Sequence, residues 1–203
     1  MREYSEIKKP KQLLVEGNDA DYFFSALLEE IGIEEIQIQN YGGIDELRGF
    51  LKQFCIAPGF LERVESLGIV RDAETDSNAA FQSVSSALNA ANLPVPQCPL
   101  ELTNTKPHTG IFILPDNEMN GMLETVCLSS VKKDPAMLCI DEYFRCLREK
   151  LEHLPKNIEK AHLQAFLASR QKVPKKLGIA AKQGIWPWNS LVFNSIKNFL
   201  NHL

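Results

Sequence analysis

The sequence predicts an α/β fold in which a mostly parallel four-stranded sheet is flanked by helices, with a helical C-terminal third. Short apolar runs alternate with stretches of helical periodicity up to about residue 131. The segments that connect them are short, which is typical of parallel sheets covered by helices on both faces. From about residue 135 onward the apolar residues follow the helical period alone.

The predicted strands are short and apolar, and each is followed by turn residues or by a helical pattern. They lie at residues 13–15, 36–41, 67–71 and 110–115, and Gly42-Gly43 ends the second of them. Predicted helices cover residues 19–31, 44–54, 77–91, 119–131, 135–151, 158–171 and 188–203, the third of them capped by Asp76 or Ser77. This order indicates one domain over residues 1–203, with an α/β core at about 10–131 and a helical extension packed on it at about 135–203.

Composition excludes several classes of protein. The chain of 203 residues is 44% apolar and 24% charged, and it has no apolar run near the roughly 20 residues that span a bilayer. The charged N-terminus lacks the apolar segment of a signal peptide, so we expect a cytoplasmic protein without a membrane partner. Five cysteines without a C-x-x-C pair, and four histidines without metal spacing, favour neither a disulfide framework nor a zinc site.

The net charge of −4 argues against a protein that coats DNA, because phosphate contacts require a basic surface. It remains compatible with an enzyme that meets nucleic acid locally, since a bound metal ion changes the charge of its site.

Acidic residues follow two of the predicted strands. Glu16 ends the first strand, and Asp72, Glu74 and Asp76 follow the third. Because ligands of open α/β sheets bind beyond the carboxyl ends of the strands, we expect these four acids to meet at one edge. Clustered carboxylates repel one another unless a cation lies between them, and oxygen ligands favour Mg²⁺ or Mn²⁺. Such an ion can hold and polarise a phosphate, which indicates phosphoryl-transfer chemistry.

Each acidic motif alone has a simpler interpretation. A strand that ends in Glu-Gly is most often followed by an ordinary turn, and acids after a strand often belong to the first turn of a helix. Asp19 and Asp21 fall in such a turn, where the helix dipole favours negative charge. The joint position of Glu16 and Asp72 at two strand ends is what favours a functional site.

Two motifs resemble the toprim fold, the catalytic domain shared by topoisomerases, bacterial primases, recombination proteins and the overcoming-lysogenization-defect nucleases. These are "LLVEG", with Glu16 and Gly17, and "GIVRDAETD", with Asp72 and Glu74. The segments "LPDNEMNGMLE" and "LGIAAKQGIWPW" are similar to small stand-alone bacterial toprim-like proteins of unknown function. The resemblance covers roughly residues 10–200.

The resemblance implies roles for individual residues. Glu16 would act as general acid or base, or as a ligand of a second metal ion, while Asp72 and Glu74 would coordinate Mg²⁺ or Mn²⁺. In the nuclease branch a glutamate from a later helix and a lysine from further on join the site. Glu124 matches the glutamate, and Lys182 is the candidate for the lysine. Possible auxiliary acids are Asp19, Asp21 and Asp76.

The sequence departs from the toprim pattern at two positions. Glu74 replaces the usual second aspartate and is one methylene longer. Many nuclease relatives carry a second acid four residues after the glutamate, where this chain has Ala20 between Asp19 and Asp21. The departure at Ala20 puts a full two-metal site in doubt.

The predicted function is Mg²⁺-dependent phosphodiester cleavage or phosphoryl transfer of toprim type, acting on DNA or RNA. The alternative is a non-catalytic toprim-like protein that binds a nucleotide, a metal ion or a partner, which Ala20 and the acidic net charge favour. A phosphatase of the haloacid dehalogenase type fits less well. It would require threonine four residues after Asp72, where the chain has Asp76.

Overall fold

A four-stranded parallel sheet forms the centre of the molecule. The computed structural model describes residues 4–203, so the first three residues of the predicted domain lie outside the described part. The strands are β1 Lys11–Glu16, β2 Ile36–Gly42, β3 Ser66–Asp72 and β4 His108–Leu114, in the order β2-β1-β3-β4. All neighbouring strands run parallel, which confirms the predicted α/β fold.

Helices cover both faces of this sheet. They are α1 Gly17–Ile31, α2 Leu47–Phe54, α3 Phe60–Arg63, α4 Ser77–Ala90, α5 Leu123–Ser130, α6 Pro135–Lys150, α7 Ile158–Ala168, α8 Leu177–Lys182 and α9 Asn194–His202. Short 3-10 turns lie at Ile44–Glu46 and Leu191–Phe193. Helices α2 to α4 pack on one face, while α1 and the helices from α5 onward pack on the other.

Strands β1, β3 and β4 contain continuous apolar runs because both of their faces are buried. In β1, Leu13 and Val15 enter the core beneath α1, and Leu14 enters the core beneath α2 and α4. Burial on both faces removes the alternation of apolar and polar residues that marks a half-exposed strand. The burial of apolar side chains therefore fixes which face of the sheet each residue of β1 occupies.

Several helices begin at positions that differ from the prediction, among them the first and the last. Helix α1 follows β1 without an intervening turn, because Gly17 adopts a φ of 75° and reverses the chain in a single residue. The last helix begins at Asn194 and not near residue 188, since Ser190 N–H donates to Pro187 O in a turn before it. Helix α4 has the predicted cap, as Asp76 Oδ1 accepts from Ala79 N–H at 2.9 Å.

Strands β1 and β3 separate at their carboxyl ends. Their pairing stops at Leu14↔Ile69, whereas β1 stays paired with β2 as far as Glu16 and β3 stays paired with β4 as far as Asp72. The chain continues from β1 to β2 on one side of this pair and from β3 to β4 on the other side. The gap is therefore the topological switch point, where ligands of open α/β sheets bind. We call this gap the switch-point crevice.

No helix within residues 4–203 is long and apolar enough to cross a membrane.

Candidate functional site

The two strand-end acids flank the switch-point crevice. Glu16 is the last residue of β1 and Asp72 is the last residue of β3, and both are half-buried. Their charges interact, because the Glu16 carboxylate raises the pKa of Asp72. Helix α5 supplies Glu124, whose carboxylate raises the pKa of Asp72 further. The fold thus brings three of the predicted site residues into electrostatic contact.

Asp72 is held at the N-terminus of α5. Its Oδ1 accepts a hydrogen bond of 2.9 Å from the Leu123 N–H. Burial raises the pKa of Asp72 to about 7, and the carboxylates of Glu124 and Glu16 add to the rise. The Leu123 hydrogen bond and the Lys160 ammonium act in the opposite direction. In the metal-free protein this carboxyl group therefore takes up a proton near neutral pH.

A lysine from α7 reaches the same cluster. Lys160 Nζ lies 3.7 Å from Glu124 Oε1, and the glutamate side chain is 16% exposed against 59% for the lysine. Lys160 also lowers the pKa of Asp72. This positive charge therefore acts on both acids, while its ammonium group stays open to solvent.

Glu16 has different surroundings. Burial raises the pKa of Glu16, and Glu74 raises it further, while the Arg71 guanidinium lowers it. The backbone N–H of Ile44 and the Tyr41 hydroxyl lower the pKa of Glu16 as well. These groups belong to β2, β3 and the turn after β2, so Glu16 is influenced by groups on the α2 and α4 side of the sheet.

Sequence reasoning missed Tyr41 and Arg71. Tyr41 is fully buried, and its hydroxyl donates to Val70 O at 3.3 Å. Arg71 is only 9% exposed, its Nη1 donates to Ala80 O at 3.3 Å, and its Nε has no hydrogen-bond partner within residues 4–203. An arginine inside an otherwise apolar strand, directly before the strand-end acid, was the signal that could have revealed the second of them.

Glu74 lies further out, in an exposed and constrained turn. Its φ is 53°, and its backbone pairs with that of Gly121 through hydrogen bonds of 2.7 and 2.9 Å. Gly121 has a φ of 142°, and a Cβ there would meet Thr125 Oγ1 at 2.6 Å, so the partner position requires glycine. A shallow pocket of about 280 Å³ lies beside this pair, lined by Glu74, Asn120, Gly121, Met122, Lys156, Asn157, Ile158 and Glu159.

The predicted auxiliary acids make other contacts. Asp76 caps α4. Asp19 Oδ1 accepts from Gly178 N–H at 3.2 Å and joins α1 to α8. Asp21 lies 3.5 Å from Ser25 Oγ and lines a separate groove between α1 and β2. The structure thus gives each of these acids a local partner away from Asp72.

Two further positions bear on the predicted site. Lys182 Nζ lies over the Tyr22 ring, 4.1 Å from its centroid, and the lysine that acts on Asp72 is Lys160. Ala20 is 8% exposed and belongs to the core beneath α1. An acidic side chain at this position would therefore begin inside the core.

The donor atoms available at the crevice are carboxylate oxygens, which suit Mg²⁺ or Mn²⁺ better than zinc. Within residues 4–203, however, no group of three or more histidine, cysteine, aspartate or glutamate side chains is arranged to hold a metal ion. The acids interact in pairs through their charges, as Asp72 does with Glu124 and Glu16 does with Glu74. A bound cation would require some of these side chains to move closer together.

Comparison with known proteins gives one family and one structural relative. The family described as "Protein of unknown function (DUF3226)" matches residues 10–203. No curated protein matches the sequence. The C-terminal region of the Burkholderia pseudomallei OLD protein is similar in structure, with a TM-score of 0.54 and 13% identity, over 97% of this chain and 99% of that one. At this identity the similarity shows the fold, which is toprim-like.

Proposed function

Because this chain belongs to the family described as "Protein of unknown function (DUF3226)", we propose a function from the residues that flank the switch-point crevice. The protein binds Mg²⁺ or Mn²⁺ and cleaves or transfers a phosphodiester, with nucleic acid as its substrate class. The observation that carries this proposal is that Asp72 is half-buried beside two other carboxylates and has a raised pKa. Burial and two neighbouring carboxylates raise its pKa to about 7, which is the condition that a bound cation relieves.

Asp72, Glu74 and Glu124 are the residues that would hold the cation. Their oxygen atoms suit a hard ion, and Asp72 and Glu124 already act on one another. When bound, a divalent ion would polarise a phosphate and lower the pKa of a water molecule. The exposed position of Glu74, two residues after the end of β3, leaves its side chain free to turn toward Asp72.

The chain's own residues would supply the remaining functions. Glu16, across the crevice from Asp72, is suited to hold or release a proton because burial raises its pKa above the ordinary value of a glutamate. For the positive charge that faces a phosphate oxygen we propose Lys160 in place of Lys182. Lys160 acts on Asp72 and Glu124 and stays largely exposed, whereas Lys182 lies over the ring of Tyr22.

The structural similarity to the C-terminal region of the Burkholderia pseudomallei OLD protein supports a toprim-like fold. The "LLVEG" and "GIVRDAETD" motifs lie at the ends of β1 and β3, where the toprim resemblance expects its acids. Fold and motif positions together favour nucleic acid over a small phosphate ester as the substrate.

A second candidate is a non-catalytic protein that binds a metal ion, a nucleotide or a partner with the same shell of residues. Two observations favour it. Ala20 is buried at the position where many nuclease relatives have an acid, and no group of three or more acids within residues 4–203 is arranged to hold a metal ion.

Cleavage assays test the proposal. Wild type is incubated with single- and double-stranded DNA and RNA in Mg²⁺ or Mn²⁺, beside Asp72→Asn and Glu16→Gln variants. The matched control is Asp141→Asn, a change of the same kind at an exposed position on α6. We expect metal-dependent cleavage that each site variant lowers by about 100-fold or more and the control leaves unchanged.

The result also separates the two candidates. Cleavage that is equal in wild type, Asp72→Asn and Glu16→Gln would show that a contaminant or another site is responsible. If wild type cleaves nothing but binds Mn²⁺ more tightly than Asp72→Asn does, the non-catalytic candidate is correct.

A further inference from the structure

The shallow pocket beside the Glu74 and Gly121 pair extends the site from the crevice toward α7, and we call it the Glu74 pocket. Glu74 lines it and is one of the proposed ligands of the cation. Met122 lines it as well, and the next residue, Leu123, donates its N–H to Asp72 Oδ1 at 2.9 Å. The pocket therefore adjoins the position proposed for the cation.

Contacts within the protein hold the walls of the Glu74 pocket in place. Ser77 Oγ donates to Glu118 O at 2.9 Å, and Ser77 N–H donates to Asn120 Oδ1 at 3.3 Å, so the loop that carries Asn120 is tied to the start of α4. On the α7 side, Asn157 caps the helix, because its Oδ1 accepts from Lys160 N–H at 2.9 Å. The pocket is therefore formed before a ligand arrives, as is usual for binding sites.

Several polar groups of the Glu74 pocket remain available as hydrogen-bond donors. Lys156 is exposed and has no ion-pair partner in the part of the chain that the structure describes. The amide of Asn120 uses its oxygen for Ser77, so its Nδ2 remains to donate. One oxygen of the Glu159 carboxylate is already engaged, since it accepts from the Thr125 hydroxyl at 2.5 Å. The free donors suit an occupant with negatively charged acceptor oxygens, such as a phosphate.

The remaining surface and the size of the pocket narrow the choice of occupant. Met122 and Ile158 add apolar surface to the lining. The volume of about 280 Å³ lies just below the roughly 300–1,000 Å³ of pockets that enclose small-molecule ligands. This space suits one nucleotide unit, with its phosphate at the donors and its sugar or base on the apolar surface. A duplex does not present a single nucleotide in this way, because its bases are paired and stacked.

We infer that the Glu74 pocket is the subsite for one nucleotide of an unpaired strand, next to the phosphodiester at the cation, with Lys156 and Asn120 as donors to its phosphate. This inference rests on the proposed function, since it takes nucleic acid as the substrate class. It adds where the strand lies and that the strand is single at this point.

Two carboxylates also border the pocket and make binding depend on cations. Glu74 and Glu159 repel a phosphate unless positive charge lies between them and the ligand. The proposed cation would supply such charge beside Glu74, and Lys156 is the lysine in the lining. We therefore expect the strand to bind more weakly in EDTA than with a divalent ion.

Fluorescence anisotropy of a labelled oligo-dT strand tests the inference. The assay contains Ca²⁺, which prefers oxygen ligands as Mg²⁺ does, and a gel of the same samples confirms that the strand is intact. Lys156→Ala removes the charge. Asn120→Asp keeps the oxygen that accepts from Ser77 and replaces the donor with a carboxylate oxygen. The matched control is Lys150→Ala, which removes an exposed lysine at the end of α6, outside the pocket.

We expect Lys156→Ala and Asn120→Asp each to raise the Kd for oligo-dT by about tenfold. Lys156→Ala should also lower the slope of log Kd against log salt concentration by about 0.7, the value for one phosphate contact on a single strand. Lys150→Ala should change the Kd by less than about twofold. A blunt duplex of the same length should bind about tenfold more weakly than the single strand, with a Kd that Lys156→Ala changes no more than the control does.

Several results would overturn the inference. These are a Kd and salt slope that are the same in wild type, Lys156→Ala and Asn120→Asp, a duplex that binds as tightly as the single strand, binding that is equally tight in EDTA, and a wild type that binds no strand.

The binding assay and the cleavage assay fail independently. If wild type cleaves no nucleic acid but binds oligo-dT in the way that depends on Lys156 and Asn120, the catalytic proposal fails and the subsite stands. If wild type cleaves and both variants bind oligo-dT as wild type does, the proposed function stands and the subsite is wrong.

Discussion

The two acids that flank the switch-point crevice have opposite kinds of surroundings. The Arg71 guanidinium, the backbone N–H of Ile44 and the Tyr41 hydroxyl all favour the ionised form of Glu16. Asp72 receives one backbone hydrogen bond, and the nearest charges include two carboxylates that oppose its ionisation. The fold thus supplies partners that favour the ionised form of Glu16. Asp72, in contrast, lacks a positive charge strong enough to offset its burial and the two carboxylates.

This difference separates the roles that the two residues can take. A catalytic acid or base must be oriented before its substrate arrives, and the groups around Glu16 that favour its ionised form are suited to do so. A metal ligand requires a cation to become fully ionised at neutral pH, and the surroundings of Asp72 create that requirement. The asymmetry favours Glu16 for proton transfer and Asp72 for metal binding. The predictions below test it, beginning with the largest effect.

The largest effect concerns the stability of the metal-free protein. The pKa of Asp72 is about 7 in the folded state against an ordinary 3.8. Between these values the folded protein binds more protons than the unfolded chain, so stability falls as pH rises from about 4 through 7. The variant Asp72→Asn carries no charge at this position, so its stability does not fall for this reason as pH rises. At pH 8 in EDTA we expect the variant to be more stable by on the order of 2–4 kcal/mol.

Urea unfolding at pH 4 and at pH 8 measures this difference. At pH 4 the two proteins should unfold at nearly the same urea concentration, because Asp72 is largely protonated in the fold and partly protonated in the unfolded chain. Asp141→Asn, at an exposed position, should match wild type at both values. A variant that is equally or less stable than wild type at pH 8 would show that Asp72 ionises without difficulty.

The second effect concerns metal binding. Mn²⁺ must displace the proton of Asp72, so its affinity should fall by about tenfold from pH 8 to pH 6, across the pKa of about 7. Isothermal titration calorimetry measures both the affinity and the protons released. Asp72→Asn should bind Mn²⁺ more weakly and with little dependence on pH over this range. Affinity that is independent of pH in wild type would place the metal elsewhere.

The sequence predicted the features of Glu16 and Asp72 that depend on residues nearby in the chain. Buried parallel strands appear as apolar runs, so the ends of β1 and β3, and the acids Glu16 and Asp72 at those ends, could be located from the pattern alone. The place where pairing stops could not be located in this way. It depends on the contact between Leu14 and Ile69, which are distant in sequence. The bond from Tyr41 to Val70 has the same origin, since it crosses the intervening strand.

For a related reason, the sequence could not show which of two lysines lies near Asp72. Lys160 and Lys182 both lie on helices of the C-terminal third. Which helix places its lysine near Asp72 depends on how α7 and α8 pack against the sheet. Helical periodicity shows that a helix has an apolar face, but it does not show which element that face will contact.

The third effect isolates the repulsion between acids. Glu124 is the first of the two carboxylates that raise the pKa of Asp72. Glu124→Gln should therefore lower the pKa of Asp72. The pKa is measured from the Asp72 carboxyl ¹³C resonance, with the exposed Glu149→Gln on α6 as control. An unchanged pKa in Glu124→Gln would leave burial and the Glu16 carboxylate as the causes of the rise.

The smallest effect decides which lysine belongs to the site. Lys160 lowers the pKa of Asp72, but its side chain is 59% exposed and solvent weakens its influence. Lys160→Ala should raise the pKa of Asp72 slightly and change stability by less than about 0.5 kcal/mol. Lys182→Ala should leave the pKa of Asp72 unchanged, because that ammonium lies over the Tyr22 ring. If Lys182→Ala raises the pKa and Lys160→Ala does not, the lysine that the sequence predicted is the correct one. In that case α8 would have to approach the crevice in solution, and the charge that Asp72 lacks would come from α8 and not from α7.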